Sequence, residues 1–264
     1  MEKKITLCTC AFTRQMETAE DYLRHFEMAA AAGFSGFELS YPHRAETENL
    51  IRGALDAGIS VVAVHGVLGG GSCSPDRSER LAAVEYAAKY LEPFTRFAPC
   101  PVVEHYLDRY NDPEKGKCFH ESVGLLLERM EQMGFLFCME NAPYKPEVNE
   151  RFPDIAEICR FVRSFGEGRM FMTFDVNHAN LHEDPVAVCK TCAGLVKHIH
   201  VSDNHGYREE HLVPGTGTID LKAVLNALYS NGYTGPCNLE FGYGHIPGQN
   251  EYRQVCDYMK KLLA

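Results

Sequence analysis

Short apolar segments alternate with helical patterns eight times along this chain, roughly every thirty residues, with no linker or change of composition between the units. The apolar segments are typical of buried strands and lie at Ile5–Phe12, Gly36–Ser40, Ser60–Val67, Pro101–Leu107, Phe135–Asn141, Met170–Asp175, Val196–Ser202 and Asn238–Phe241. Strands that alternate with helices predict a parallel sheet. Eight such units in 264 residues predict a single α/β domain, a (β/α)8 TIM barrel that occupies residues 1–264.

Helical spacing of apolar residues marks the segments between these strands. The predicted helices lie at Thr18–Gly33, Thr47–Gly58, Ser78–Phe97, His120–Gly134, Asp154–Phe165, a segment that begins near Pro185, Leu221–Gly232 and Glu251–Leu263. An open doubly wound sheet is the main alternative for such a pattern. It requires a glycine fingerprint after the first strand, and Cys10-Ala11-Phe12-Thr13 lacks one.

Polar side chains stand at the carboxyl ends of four consecutive predicted strands. They are Glu140, Asp175, His200 and Glu240. A carboxylate or imidazole at the tip of a buried strand is costly unless it is paired or bound to a metal, and active sites of such barrels lie at this end. Three carboxylates and one imidazole suit Mn²⁺, Mg²⁺ or Co²⁺ and tolerate Zn²⁺. The alternative is that each residue is a capped or solvated strand end.

Further histidines lie close to the same end of the predicted barrel. His178 follows Asp175 by three residues and is a candidate to bind metal, to orient substrate, or to hydrogen-bond a group that supports a ligand, with a satisfied loop histidine as the alternative. His65 and His105 end strands 3 and 4, where a second metal, a substrate pocket or plain burial would each account for them. His198 and His200 share strand parity, so we predict that both point inward and that His198 lies deeper.

The loop after strand 7 adds other polar candidates. Arg208 is a candidate donor to substrate hydroxyls or a phosphate, and Glu209 and His211 are two residues apart, so both could face the site. Gly215-x-Gly217 is a weak signal that favours a tight turn, and the pattern of Cys189-x-x-Cys192 favours a helix face. The directions of two strand glutamates, Glu38 and Glu104, stay undecided at this point.

Composition narrows the partners that we expect. The net charge of −10 and the pI near 5.6 argue against nucleic acid, whose phosphates need a basic face. The sequence contains no run of eighteen apolar residues, so we predict no membrane span. The N-terminal segment lacks a signal-peptide pattern. The eleven cysteines are scattered and odd in number, which predicts a reduced, cytoplasmic protein. Assembly into a homo-oligomer stays open.

Five motifs together resemble the xylose isomerase-like barrel superfamily, which includes sugar and sugar-phosphate isomerases and epimerases and endonuclease IV. They are Met139-Glu140-Asn141, Phe174-Asp175-Val176-Asn177-His178, the segment from His198 to Asn204, the segment from His211 to Asp220, and Asn238-Leu239-Glu240. The resemblance implies one divalent metal held by Glu140, Asp175, His200 and Glu240, with the two glutamates as an acid/base pair. A metal that chelates a carbonyl and its neighbouring hydroxyl acidifies the C–H between them and stabilises an enediolate.

The resemblance therefore predicts a metal-dependent isomerase or epimerase whose partner is a small sugar or sugar phosphate. The candidate substrate-binding residues are His65, His105, His178, Arg208 and His211. The rival is a zinc-dependent abasic-site nuclease similar to endonuclease IV, whose histidines on strands 3 and 4 are matched by His65 and His105. That family also has an Asp-x-His after strand 7, where this chain has Glu209-Glu210-His211. A sugar-binding barrel without catalysis is a third reading.

Overall fold

The computed structural model describes residues 3–13, 18–40, 46–106, 112–143 and 153–264. Its strands are β1 (Ile5–Cys8), β2 (Gly36–Leu39), β3 (Ser60–His65), β4 (Pro101–His105), β5 (Leu136–Glu140), β6 (Phe171–Asp175), β7 (Val196–Val201) and β8 (Cys237–Leu239). Each strand pairs in parallel with its neighbours in sequence, and β8 pairs with β1 to close the barrel. The predicted (β/α)8 fold is confirmed.

Helices connect the strands on the outside of the barrel. Those of the described residues are α1 (Cys10–Thr13), α2 (Ala19–Ala32), α3 (Thr47–Asp56), α4 (Arg77–Leu91), α5 (Pro113–Met133), α6 (Ile155–Arg163), α7 (Val176–Ala179), α8 (Pro185–Val188), α9 (Leu221–Ser230) and α10 (Gln249–Leu263). None of these helices is both long enough and apolar enough to cross a bilayer. Two 3₁₀ segments, Gly70–Cys73 and Glu92–Phe97, flank α4.

Two helix boundaries differ from the predicted ones by more than two residues, each for a local reason. α5 begins at Pro113, seven residues before His120, because the Asp112 side chain caps it and proline fits its first turn. None of the residues 113–118 at its start is buried, so apolar spacing did not reveal this part of the helix. The predicted helix Ser78–Phe97 ends as an α-helix at Leu91, and Pro93 lies in the 3₁₀ turn that follows. The predicted end of strand 4, Leu107, lies outside the described residues.

Alternation along the strands separates an apolar layer from a polar interior. Phe37 on β2 packs outward against Phe26 of α2, with ring centroids 4.5 Å apart. Glu38, the next residue, points into the barrel and is fully buried. There Asn238 donates to Glu38 at 3.2 Å and accepts from Thr6 at 2.9 Å. This hydrogen-bonded layer forms the floor below the carboxyl ends of the strands.

Candidate metal centre

Strand register places the predicted ligands side by side. Asp175 on β6 pairs with His200 on β7, and His105 on β4 pairs with Glu140 on β5. Glu240 directly follows β8, and its backbone N–H donates to the Val201 carbonyl at 3.1 Å. The parallel strands therefore deliver these side chains to one sector of the barrel mouth.

Three carboxylates converge on one ring nitrogen. Nδ1 of His200 lies 2.6 Å from Glu140 Oε1, 3.0 Å from Glu240 Oε2 and 3.9 Å from Asp175 Oδ2. One ligand atom from each of these four residues lies within 4.8 Å of the others, and all four side chains are buried. The structure thus brings together the full set that the sequence suggested.

The electrostatics of this cluster fit a bound cation. Asp175 Oδ2 is buried and has no hydrogen-bond partner within the described part of the chain, which is costly for a carboxylate oxygen. Burial lowers the pKa of His200, but the carboxylates of Glu240, Glu38 and Glu140 together raise it well above its ordinary value. The imidazolium proton occupies the place where a cation would neutralise the carboxylates. The residues present therefore fit a divalent ion.

Glu38 orients the histidine of this cluster. Its Oε2 accepts from His200 Nε2 at 3.0 Å and from His198 Nε2 at 2.5 Å. Since the carboxylate holds the Nε2–H of His200, the other ring nitrogen faces Glu140, Asp175 and Glu240. As predicted, His198 points inward, and it contacts Glu38 rather than the three carboxylates.

Two more histidines contact the outer side of Glu140. Nε2 of His105 lies 3.2 Å from Glu140 Oε2, and Nε2 of His65 lies 3.8 Å from the same atom. Burial and the neighbouring His105 lower the pKa of His65. For His105, burial lowers the pKa but Glu140 raises it above the ordinary value. His65, His105 and Glu140 form a second group of possible metal ligands. This group shares Glu140 with the group of Glu140, Asp175, His200 and Glu240.

A third donor group forms on the other side of the centre. His178 donates through Nδ1 to the Asn141 carbonyl at 2.7 Å, and its Nε2 lies 3.5 Å from Glu209 Oε1. The same oxygen lies 3.0 Å from His211 Nε2. Burial lowers the pKa of His178, but Asp175 and Glu209 raise it to about 10. His211 has φ of 47°, a strained value for a non-glycine residue that often accompanies function.

Other sequence candidates lie elsewhere. The Arg208 side chain is 68 % exposed, and its guanidinium pairs with Glu210 Oε1 at 3.3 Å. Glu104 points away from the barrel interior. Its Oε2 accepts a hydrogen bond from the Leu68 N–H at 3.0 Å. Cys189 and Cys192 are buried, and their thiols donate to carbonyls in their own turn of chain. The structure therefore does not join these residues to the metal-type cluster.

A cavity of about 610 Å³ opens above the cluster. Its lining includes Cys10, Phe12, Ser40, His65, His105, Glu209, His211, Glu240 and Phe241. Cavities of this size accommodate small organic molecules. Sequence reasoning had not assigned Cys10 or Phe12 to the site; their position directly after β1 is the signal that could have placed them there.

The fold and this site define an α/β barrel with a divalent-cation donor set at the carboxyl ends of its strands. Sequence comparison then specifies the family. The chain belongs to the xylose isomerase-like TIM barrel family, whose profile matches residues 26–262. The resemblance drawn from the five motifs is confirmed.

Similar proteins are named mostly as sugar isomerases and epimerases. A Streptomyces coelicolor protein provisionally named as a hydroxypyruvate isomerase is 26% identical over 248 residues, which cover 85% of this chain and 86% of that protein. Fructoselysine 3-epimerase of Escherichia coli O157:H7 is 25% identical over 146 residues, covering 54% of this chain and 52% of the enzyme. The solved structure of an L-ribulose 3-epimerase superposes with a TM-score of 0.80 at 18% identity and covers 99% of this chain and 94% of that one. At that identity the superposition establishes the fold alone.

Proposed function

We propose that this protein is a divalent-metal-dependent isomerase or epimerase of a sugar or sugar phosphate. The observation that carries the proposal is the convergence of Glu140 and Glu240 on His200 beneath a cavity of sugar size. The names of the relative that matches over 85% of this chain and of the fructoselysine epimerase support the substrate class. Glu140, Asp175, His200 and Glu240 would hold one ion, with Mn²⁺, Mg²⁺ or Co²⁺ favoured by the oxygen-rich donors and Zn²⁺ tolerated.

When bound, the ion supplies Lewis-acid polarisation of the substrate carbonyl. The chain supplies the proton transfers. Glu240 is buried, which raises its pKa, but His200 lowers it to about 2, so the carboxylate is ionised at neutral pH and can accept a proton from carbon. Glu140 is held in its ionised form by His200 and His105, and it is the second proton carrier. These carboxylates are surrounded by four histidines that would contact substrate hydroxyls: His178, His211, His65 and His105.

The experiment measures metal content and proton exchange on the same preparation. Purified protein loaded with Mn²⁺ is incubated in D₂O with a panel of ketoses, ketose phosphates and hydroxypyruvate. The expected result is one ion per chain, deuterium at the carbon next to the carbonyl, and a new epimer or isomer. One ion per chain with every substrate unlabelled and unconverted would contradict an enzymatic function and favour the sugar-binding reading.

A second candidate, a metal-dependent phosphodiesterase of the endonuclease IV type, is favoured by one specific observation. Two further donor groups flank the four-residue cluster: His65 with His105 and Glu140, and His178 with Glu209 and His211. Glu209 replaces the aspartate of the Asp-x-His pattern and still lies 3.0 Å from His211. Three zinc ions per chain and cleavage of DNA at abasic sites would support this candidate, and a single ion with inert DNA would exclude it.

A further inference from the structure

Two thiols lie beside Glu240 on the side that faces away from His200. Cys8 ends β1 and is fully buried, and its Sγ lies 4.0 Å from Glu240 Oε1. Cys10 begins α1, lines the cavity, and its thiol approaches the Phe241 carbonyl at 3.6 Å. The two sulfurs and a Glu240 oxygen all lie within 4.8 Å of one another.

The two oxygens of Glu240 face different groups. Oε2 lies 3.0 Å from His200 Nδ1, within the four-residue cluster. Oε1 faces Cys8 and lies 3.8 Å from His65 Nε2. The carboxylate is thus placed to bridge two cations, one on each side.

The distances suit a thiophilic ion. A zinc–sulfur bond is about 2.3 Å and a zinc–oxygen bond about 2.1 Å, so the donors of one tetrahedral or trigonal ion are roughly 3.6–4.0 Å apart. The 4.0 Å between Cys8 Sγ and Glu240 Oε1 lies at the upper end of this range. Since all three donors lie within 4.8 Å of one another, a bound ion would draw the set together by at most about 1 Å. Thiolates select Zn²⁺ and other soft ions over Mg²⁺ and Mn²⁺.

We propose that Cys8, Cys10 and Glu240 form a second metal site, selective for a thiophilic ion such as Zn²⁺ or Cd²⁺, whose occupation inhibits the enzyme. Each thiol that binds releases its proton to solvent. Glu240 Oε1 then coordinates the ion and no longer accepts a proton from substrate carbon. The inhibition rests on the proposed isomerase function, whereas ion binding by the thiols does not.

The binding experiment titrates reduced, Mn²⁺-loaded protein with Cd²⁺ and follows the ultraviolet charge-transfer band of cadmium bound to thiolate. We expect saturation at one thiolate-bound Cd²⁺ per chain, and loss of this band in Cys8→Ser/Cys10→Ser. The matched control is Cys118→Ser, which removes a half-buried thiol on α5 and should keep the band. A band that persists in the double variant overturns the site.

A second variant keeps the test valid if the double variant does not fold, as judged by circular dichroism and thermal unfolding. Cys10→Ser alone changes only the cavity-lining thiol and should weaken Cd²⁺ binding at least about tenfold. Unchanged Cd²⁺ affinity in a folded Cys10→Ser protein would also overturn the proposal.

The inhibition experiment adds Zn²⁺ to the Mn²⁺-loaded enzyme and compares each protein with its own rate without zinc. In the cysteine variants the zinc concentration for half-inhibition should rise at least about tenfold. Equal inhibition of wild type and variants would place the inhibitory zinc elsewhere and overturn the bridging role of Glu240. If no sugar is converted by any protein, the proposed function fails, while the cadmium band still decides the thiol site.

Discussion

Oε2 of Glu38 lies 3.0 Å from Nε2 of His200, and this contact fixes which nitrogen of the ring faces the three carboxylates. Glu38 itself lies too deep to line the cavity. It positions a ligand from below, in the arrangement in which a carboxylate holds a metal-binding histidine. The candidate metal centre therefore depends on a residue of β2 that does not belong to the four proposed ligands.

We expect Glu38→Gln to weaken Mn²⁺ binding by roughly 10–100-fold. Glutamine has the same size but lacks the negative charge that attracts the Nε2–H groups of His198 and His200. Titration of metal-free protein with Mn²⁺ against a competing chelator measures the effect. Glu104→Gln is the matched control, because this glutamate is also buried but lies outside the barrel interior. Equal affinities for wild type and Glu38→Gln would show that the ring is oriented without Glu38.

The strand-tip residues were predictable because the alternation of strands and helices fixes where each strand ends. Once the fold is a parallel barrel, Glu140, Asp175, His200 and Glu240 must lie on the same rim, whatever the details of packing. The four ligand atoms accordingly lie within 4.8 Å of one another. A charged or ionisable residue at the end of each of four consecutive buried strands is unusual by itself.

Whether the side chains of Glu38 and Glu104 point into or out of the barrel was harder to predict, although the alternation of residues along each strand contains this information. Neighbouring residues of a strand point to opposite sides, so an inward His105 requires an outward Glu104. The register of β2 against β3 shifts between Phe37 and Glu38, but these two residues still point to opposite sides of the sheet. Only the three-dimensional pairing shows that Glu38 reaches both His198 and His200.

Loop residues were the least predictable, because their positions depend on contacts distant in sequence. Asp203 accepts backbone N–H groups of Asn204, Gly215 and Ile219 at 3.0–3.1 Å and so folds the loop after β7 back on itself. This fold turns His211 toward Glu240, with Nδ1 3.2 Å from its backbone carbonyl, and leaves Arg208 exposed. The spacing of residues along the chain could not predict that His211 faces the site while Arg208 is exposed.

Glu240→Gln should retain much of the metal and lose most of the proton exchange. The amide keeps one oxygen that can bind an ion, but it cannot accept a proton from carbon. Deuterium uptake from D₂O into the active sugar should therefore fall by roughly 10²–10⁴-fold. Glu131→Gln, which breaks an exposed pair with Arg169, should exchange as the wild type does. Exchange within about threefold of the wild type in metal-loaded Glu240→Gln would remove Glu240 from the catalytic pair.

His178 and Arg208 should differ in both activity and stability. His178→Ala leaves the buried Asn141 carbonyl without its donor, so we expect a loss of about 1–3 kcal/mol in the free energy of unfolding. We also expect kcat/KM to fall by at least about 10²-fold, because its Nε2 faces Glu209 within the site. Arg208→Ala breaks an exposed pair with Glu210, so its effect on stability should be at most about 1 kcal/mol.

Activity then tests the two residues separately. We expect Arg208→Ala to lower kcat/KM by no more than about tenfold, since its guanidinium is turned toward solvent. A larger loss with unchanged stability would show that Arg208 reaches the substrate, as its place in the loop after β7 suggested. Normal kcat/KM in a destabilised His178→Ala protein would instead limit His178 to a role in folding.

Glu104 makes the stability of the fold depend on pH through a single buried carboxyl group. Burial raises its pKa from 4.5 to about 7, with a smaller opposing effect of the hydrogen bond from Leu68 N–H. Between these values the folded protein holds a proton that the unfolded chain has lost. The stability gained from this proton is fully present below pH 4.5 and is lost as the pH rises through about 7.

Glu104→Gln should remove this dependence, because the amide stays neutral at every pH. At pH 8 the variant should exceed the wild type by roughly 1–3 kcal/mol in the free energy of unfolding, and at pH 5 the difference should be below about 1 kcal/mol. Urea unfolding at both pH values measures the difference in unfolding free energy between the variant and the wild type. All other titrating groups are the same in the two proteins, so their contributions cancel. Glu131→Gln should change the stability at pH 8 in the opposite direction. The Arg169 side chain lowers the pKa of Glu131, so loss of this carboxylate should slightly destabilise the protein at pH 8. If Glu104→Gln destabilises the protein equally at both pH values, the carboxyl group is required for its hydrogen bonds and its charge is tolerated.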